Sequence, residues 1–265
     1  MKTRIEVFYR GRVHTLRLLE SFKLSAQLKF SDDAINLYGA AAAYEEPLRY
    51  DDQPARVDLG GACNASRINL VPHCHGTHTE CIGHVMREAH HVTEIDIPLL
   101  LASTLIHVPV ERASTMKDTY NIYTADDDWV ITAESISAAM APLGSDYLEA
   151  LIVATDTDYW LPDGSGAPYF SHQAMALIRT LGVQHLLVDL PSIDKLHDGG
   201  LMDNHRCFWG VSCPCHQAAE RANASVTELI QVPADTPAGH YFISIQLPDI
   251  DGDALPSRPL VYPFL

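Results

Sequence analysis

Alternating and continuous apolar runs divide the chain into a short list of elements. Ile5-Glu6-Val7-Phe8-Tyr9 and Val13-His14-Thr15-Leu16-Arg17-Leu18 are largely alternating runs on either side of Arg10-Gly11-Arg12, which predicts an opening β-hairpin. Residues 32 to 64 carry loop punctuation (Gly39, Pro47, Pro54, Gly60, Gly61) and no sustained period. Arg67-Ile68-Asn69-Leu70-Val71 alternates as a half-buried strand. The wholly apolar run at 150–154, and its near-equivalent at 185–190, read as strands buried on both faces. Between them Ala174, Leu177, Ile178 and Leu181 repeat at helical spacing and end at Gly182, which predicts a helix over 171–181. A shorter helix is predicted over 135–140. The tail returns to strands at 226–232, 241–247 and 260–262. Helices interleaved with strands, and strands in succession, give an α/β class with a mixed sheet. No repeat or long linker interrupts the pattern. One domain is expected over residues 1–265, with 1–19 an N-terminal β-hairpin extension.

Composition narrows the function. The 265 residues are 47% apolar and 20% charged, ordinary for a globular protein. Lys and Arg number 18 against 34 Asp and Glu, a net charge of −16, so no basic face is expected for nucleic acid or an anionic membrane. No apolar run is long enough to span a bilayer. Six cysteines are too sparse for a disulfide scaffold, which favours reduced thiols and a cytoplasmic location.

Histidine changes the picture most. Six of the 14 (His73, His75, His78, His84, His90, His91) fall within positions 73–91. Around them runs Pro72-His73-Cys74-His75-Gly76-Thr77-His78-Thr79-Glu80-Cys81-Ile82-Gly83-His84. In an extended segment, residues two apart share a face, so Cys74, His78 and Glu80 can converge, with Gly76 permitting a bend. Thiolate, imidazole and carboxylate all ligate zinc. Three such ligands leave a position open for water, and His84 stands near enough to shuttle a proton. The plainer reading makes these solvated loop histidines, with Cys74 and Cys81 small core residues.

The segment Gly76-Thr77-His78, with an acidic residue two positions on and His84 six positions on, resembles the His-x-Gly-Thr-His-x-Asp-x-Pro-x-His signature of the metal-dependent cyclase-like hydrolases. That family includes bacterial kynurenine formamidase and isatin hydrolase. Asp189-Leu190-Pro191-Ser192-Ile193-Asp194 resembles the family's Asp-Thr-Pro-Ser-Ile-Asp. Asn204-His205-Arg206 falls where a second metal-binding histidine is expected, and Thr227-Glu228-Leu229 with Pro237-Ala238-Gly239 is similar to the closing segment. The similarity covers roughly residues 20 to 265. It implies a swivelling β/β/α domain with a curved mixed sheet and outer helices. It also implies one or two ions of Zn2+ (Mn2+ as the alternative) held by Cys74, His78, Glu80, His205 and Glu228, with His84 catalytic. His73 would replace Cys74 if the strand is bulged there.

The implied activity is hydrolysis of a small amide or cyclic amide, arylformamidase-like, by metal-activated water, in a homodimer or homotetramer. A lyase or dehydratase on the same site, and a non-catalytic small-molecule binding protein, are the alternatives. Isoleucine at 82 departs from the signature, which has proline there, and Gly83 stands at its variable position. Cys213-Pro214-Cys215-His216 could bind metal, but with no second pair it reads as a loop thiol pair that could line the pocket entrance. Tyr159 and Trp160 could stack on a planar substrate or pack in the core. Asp189 and Asp194 either orient ligands or cap the turn after their strand, and His90-His91 are expected on the exposed part of a short helix.

Overall fold

The computed structural model describes residues 4–31, 33–155, 160–211 and 220–265. The opening hairpin forms as its alternation predicts. Arg4–Tyr9 and Arg12–Arg17 pair with Tyr9 opposite Arg12, leaving a two-residue turn at Arg10 and Gly11. Both turn residues have positive φ (47° and 78°), the conformation that matches the twist of the flanking strands. Val7, Tyr9 and Leu16 on one hairpin face pack against Ala102, Tyr147, Phe242 and Phe264.

Nine strands make one curled sheet. Its order from one edge to the other is Ala254–Pro256, His78–Glu80, Ser225–Glu228, His185–Val188, Ala150–Thr155, Leu101–Val108, Gly239–Ser244, Leu260–Tyr262 and Phe22–Lys23. The four from Ser225–Glu228 to Leu101–Val108 run parallel. The strands beyond them on either side are antiparallel to their neighbours. This is the mixed sheet expected from the sequence. The parallel strands are buried on both faces, which is why 150–154 reads as an unbroken apolar run. Val153 and Leu151 face the helices Ala133–Met140, His172–Thr180 and Asp203–Trp209, whereas Ala150 and Ile152 face a second core with Leu101, Leu105, Leu187 and Ile243. The His172–Thr180 helix begins at Ser171, whose Oγ accepts the Ala174 N–H, and stops at Gly182, with φ +79°.

Three expectations are corrected. Ser66–Asn69 is a strand, but among the described residues it pairs only with Tyr44–Pro47, outside the main sheet, and is exposed at every position. Alternation there reports a solvated ladder, not a half-buried one. The stretch read as loop over 32–64 contains Tyr44–Pro47 and a small Arg49–Tyr50/Gln53–Pro54 ladder, each too short for periodicity to reveal. The strand anticipated over 226–232 ends at Glu228, because Leu229 turns to φ +57° and gives its N–H to the Leu190 carbonyl. Among the described residues no helix is long and apolar enough to cross a membrane.

Candidate metal centre

Pro72 occupies the first turn of a one-turn helix, Pro72–His75, where its missing N–H costs nothing. The turn is closed by the Val71 N–H donating to Nδ1 of His75 at 2.9 Å. Side chains at successive helical positions diverge by about 100°, so His73 and Cys74 cannot aim at one target. The extended geometry expected from Cys74 onward therefore fails before Gly76. Cys74 packs with Leu37 and Leu229, and its burial pushes the thiol pKa up. His73 turns toward Glu80 instead, through a helical turn and not a bulge.

Beyond Gly76 the chain is extended, and His78–Glu80 lies between Ser225–Glu228 and Ala254–Pro256. Glu228 is directly opposite His78 and Val226 opposite Glu80, so His78, Glu80 and Glu228 share one face. Thr79, pointing the other way, bonds Thr227 and Ser257. His205 comes from the Asp203–Trp209 helix, which packs over that face.

The side chains gather around Glu80. Its Oε1 lies 2.9 Å from Nε2 of His205, and its Oε2 lies 3.1 Å from Nδ1 of His73 and 3.9 Å from Nε2 of His84. Glu228 stands 3.5 Å from Nε2 of His78 through one oxygen and 3.5 Å from Nε2 of His205 through the other. Glu80 and His78 are 0% exposed and His205 is 1%. The outer nitrogens are tied down. Nδ1 of His78 meets the Gly76 carbonyl at 3.0 Å, and Nδ1 of His205 meets Asp194 at 2.6 Å. Asp194 also accepts the backbone N–H groups of Asn204 and His205 and the Tyr120 hydroxyl. It thus orients a ring, one of the two roles weighed for it, and caps the Asp203–Trp209 helix rather than the turn after its own strand. Asp189 instead accepts from the backbone and hydroxyl of Thr155.

Burial penalises charge on Glu80, but His84 and His205 hold its pKa well below the usual carboxylate range. Burial also opposes protonation of His205, and the Glu80, Asp194 and Glu228 carboxylates more than reverse this. Four carboxylates (Glu80, Glu228, Asp194, Asp253) meeting around these imidazoles call for positive charge. Nδ1 of His73, Nε2 of His78, Nε2 of His205 and both oxygens of Glu80 are buried without a hydrogen bond of normal geometry. Such groups cost free energy unless something ligates them. Among the described residues, the sets His73/His78/Glu80 and Glu80/His84/His205 each place their ligand atoms within 4.8 Å of one another. Imidazole and carboxylate donors on a shared bridging glutamate fit a divalent metal.

The family model described as "Putative cyclase" matches residues 22–195. The chain belongs to the cyclase family. No curated protein matches this chain by sequence. Among solved structures it is similar to an isatin hydrolase bound to the product analogue thioisatinate, at 15% identity and TM-score 0.63, covering 92% of each chain. Isatin hydrolase A from Labrenzia aggregata, bound to benzyl benzoate, matches at 17% identity and TM-score 0.62 over 92% of this chain and 93% of that one. A predicted metal-dependent hydrolase from Bacillus stearothermophilus matches at 16% and 0.59, covering 92% and 98%. At these identities the likeness is one of fold.

Of the residues singled out in the sequence, His73, His78, Glu80, His84, His205 and Glu228 come together, and Cys74 lines the cavity without joining a ligand set. A cavity of about 760 Å³ opens over them, walled by Tyr38, Val71, Cys74, Ser192 and Met202 among others. Trp160 packs near Leu37 and Cys74. Tyr159 and the segment 213–216 lie outside the described residues. His90 and His91 are half-buried, His91 preceding the short 3-10 turn Val92–Glu94. Sequence reasoning missed Asp253, whose Oδ2 lies 2.9 Å from Nε2 of His73 and 3.4 Å from Nδ1 of His84. It belongs to an ordinary acidic turn, and nothing in its local pattern marks it.

Proposed function

We propose that this protein is a metal-dependent hydrolase of a small amide or cyclic amide. His73, His78, Glu80, His205 and Glu228 would hold one or two divalent ions. With Cys74 aside the donors are imidazole and carboxylate, a set suited to Zn2+ and to Mn2+. A cation bound there supplies Lewis acidity toward the carbonyl and lowers the pKa of water. The reading is carried by the buried donor atoms of His73, His78, Glu80 and His205, none of which makes a hydrogen bond of normal geometry among the described residues, converging beneath an open cavity.

The chain's own groups do the rest. Glu80 and Glu228 balance the cation's charge from the sheet face. His84, 26% exposed on the 3-10 turn Ile82–His84, borders the cavity with its Nε2 directed toward Glu80. From there it takes a proton on the attacking side and returns one to the leaving nitrogen. The hydrophobic wall at Val71 and Met202 accommodates a planar, weakly polar group. We take the protein to act in the cytoplasm as a homodimer or homotetramer, which sedimentation of the metal-loaded protein tests.

Chelation followed by reconstitution with Zn2+ or Mn2+, assayed on isatin and formanilide, tests the activity. Metal-free protein is expected to lose turnover and to melt several degrees lower, since ligand at about 100 times Kd stabilises by about 2.7 kcal/mol. His84→Ala is expected to retain metal by elemental analysis and lose at least about 100-fold in kcat. Full turnover by that variant would remove His84 from the mechanism. Solvent oxygen labelled with 18O should enter the acid product, and its absence there would favour a lyase.

A further inference from the structure

The departure of this chain from the cyclase-like signature at Cys74 and the glycine at the signature's variable position 83 are spatially connected, and Asp253 connects them. Its backbone position is set by the sheet. Ala254 pairs with Glu80, the Asp253 carbonyl accepts the Cys81 N–H at 2.9 Å, and the Gly252 carbonyl accepts the Val92 N–H at 2.8 Å. These bonds hold Asp253 against the loop that carries His84. Room for it depends on Gly83. A Cβ there would lie 3.1 Å from the Cβ of Asp253 and would run into the His90 carbonyl oxygen.

One oxygen of Asp253 faces two rings. Oδ2 is 2.9 Å from Nε2 of His73 and 3.4 Å from Nδ1 of His84, and those rings stack with centroids 4.1 Å apart. If the carboxylate takes the N–H of His73 at Nε2, Nδ1 is left with its lone pair, and Nδ1 is the atom aimed at Glu80. The same carboxylate on Nδ1 of His84 leaves Nε2, the atom 3.9 Å from Glu80, to exchange a proton.

We infer that Asp253 is a positioning residue that makes His73 the metal ligand in place of the cysteine at 74, and that orients His84 with the same oxygen. The assignment to His73 rests on geometry, and the assignment to His84 rests in addition on the hydrolase reading above. Cysteine at 74 leaves a gap in the ligand set, the helical turn brings the neighbouring histidine into it, Gly83 opens the space behind, and Asp253 fills that space.

The test uses the full-length chain and Co2+ alone as the probe, titrated into metal-free wild type and Asp253→Ala and followed by visible absorption. The variant is expected to bind about 10–100-fold more weakly, the usual cost of losing a carboxylate behind a ligating histidine. Metal-free Asp253→Ala should melt no more than a few degrees below metal-free wild type, because the bonds at 252–253 are backbone bonds and only the side-chain pairing with His73 and His84 is lost. On the Co2+-saturated proteins, kcat toward isatin should fall at least about 10-fold with KM little changed. Added acetate should restore part of it, since the Asp253 side chain is 43% exposed and a free carboxylate can enter. Asp253→Asn, which keeps an acceptor oxygen without charge, should fall between the two.

Co2+ affinity and kcat within twofold of wild type would overturn the inference. So would a loss that acetate leaves unrescued and that comes with a large drop in the metal-free melting temperature. Wild type that turns over neither isatin nor formanilide with any metal would sink the hydrolase reading instead, and the Co2+ affinity ratio would still decide what Asp253 does for His73.

Discussion

Glu80 is a carboxylate with 0% exposure, central to three imidazoles, and a group of that kind survives in an interior only when charge meets it from several sides. His73 illustrates the balance. Burial works against its protonated form, yet the Asp253 and Glu80 carboxylates raise its pKa to about 10. A divalent ion displaces that proton and takes over the same electrostatic role. Small residues matter as much as charged ones. Gly83 has no room for a methyl group between His90 and Asp253. Gly83→Ala should destabilise by about 1–3 kcal/mol through overpacking, read as a lower urea midpoint at unchanged slope. An unchanged midpoint would show that the loop yields freely, and the close packing described for it would be unimportant.

The elements place these residues, and they do so by ordinary local rules. Pairing of His78–Glu80 with Ser225–Glu228 puts three ligands on one face, because a strand alternates sides. A one-residue slip would exchange them for the threonines of the opposite face. The helix His172–Thr180 packs against the Asp203–Trp209 helix that carries His205, and its N-terminus depends on Ser171. That side chain accepts from the Ala174 N–H and donates to Asp118 at 2.7 Å while itself 0% exposed. Ser171→Ala removes the cap and leaves Asp118 short of a donor. It should cost about 1–2 kcal/mol in chemical denaturation. Loss below a few tenths would mean that water serves the helix end equally well. The helix and its stop are both visible in the sequence, since its apolar period is closed by Gly182. The one-turn helix at Pro72–His75 is not. Four residues carry no period, and a proline before a polar run reads equally well as loop or strand.

Across the whole molecule, acid stability has an identifiable source. His185 is 3% exposed, bonded to Ser225 between two central strands, and burial with the nearby Arg221 charge lowers its pKa to about 4. The free side chain titrates near 6.5, so between those values the unfolded chain binds the extra proton. The contribution is complete above about pH 6.5 and declines as pH falls toward 4, by about 3 kcal/mol in all. Denaturation at stepped pH should show that decline, and His185→Asn should flatten it. An equal slope in the variant would assign it to other groups. The α/β class, the hairpin, the buried strands and the ligand-rich segment were all determined by the sequence alone, because period, caps and composition are local properties that each stretch of chain carries with it. The tertiary structure decided which of two adjacent side chains, His73 or Cys74, faces Glu80, and that Asp253 stands behind it. Those outcomes depend on a rotation of about 100° within one helical turn and on strand register between segments far apart in the chain. Neither leaves a mark on any single stretch of residues.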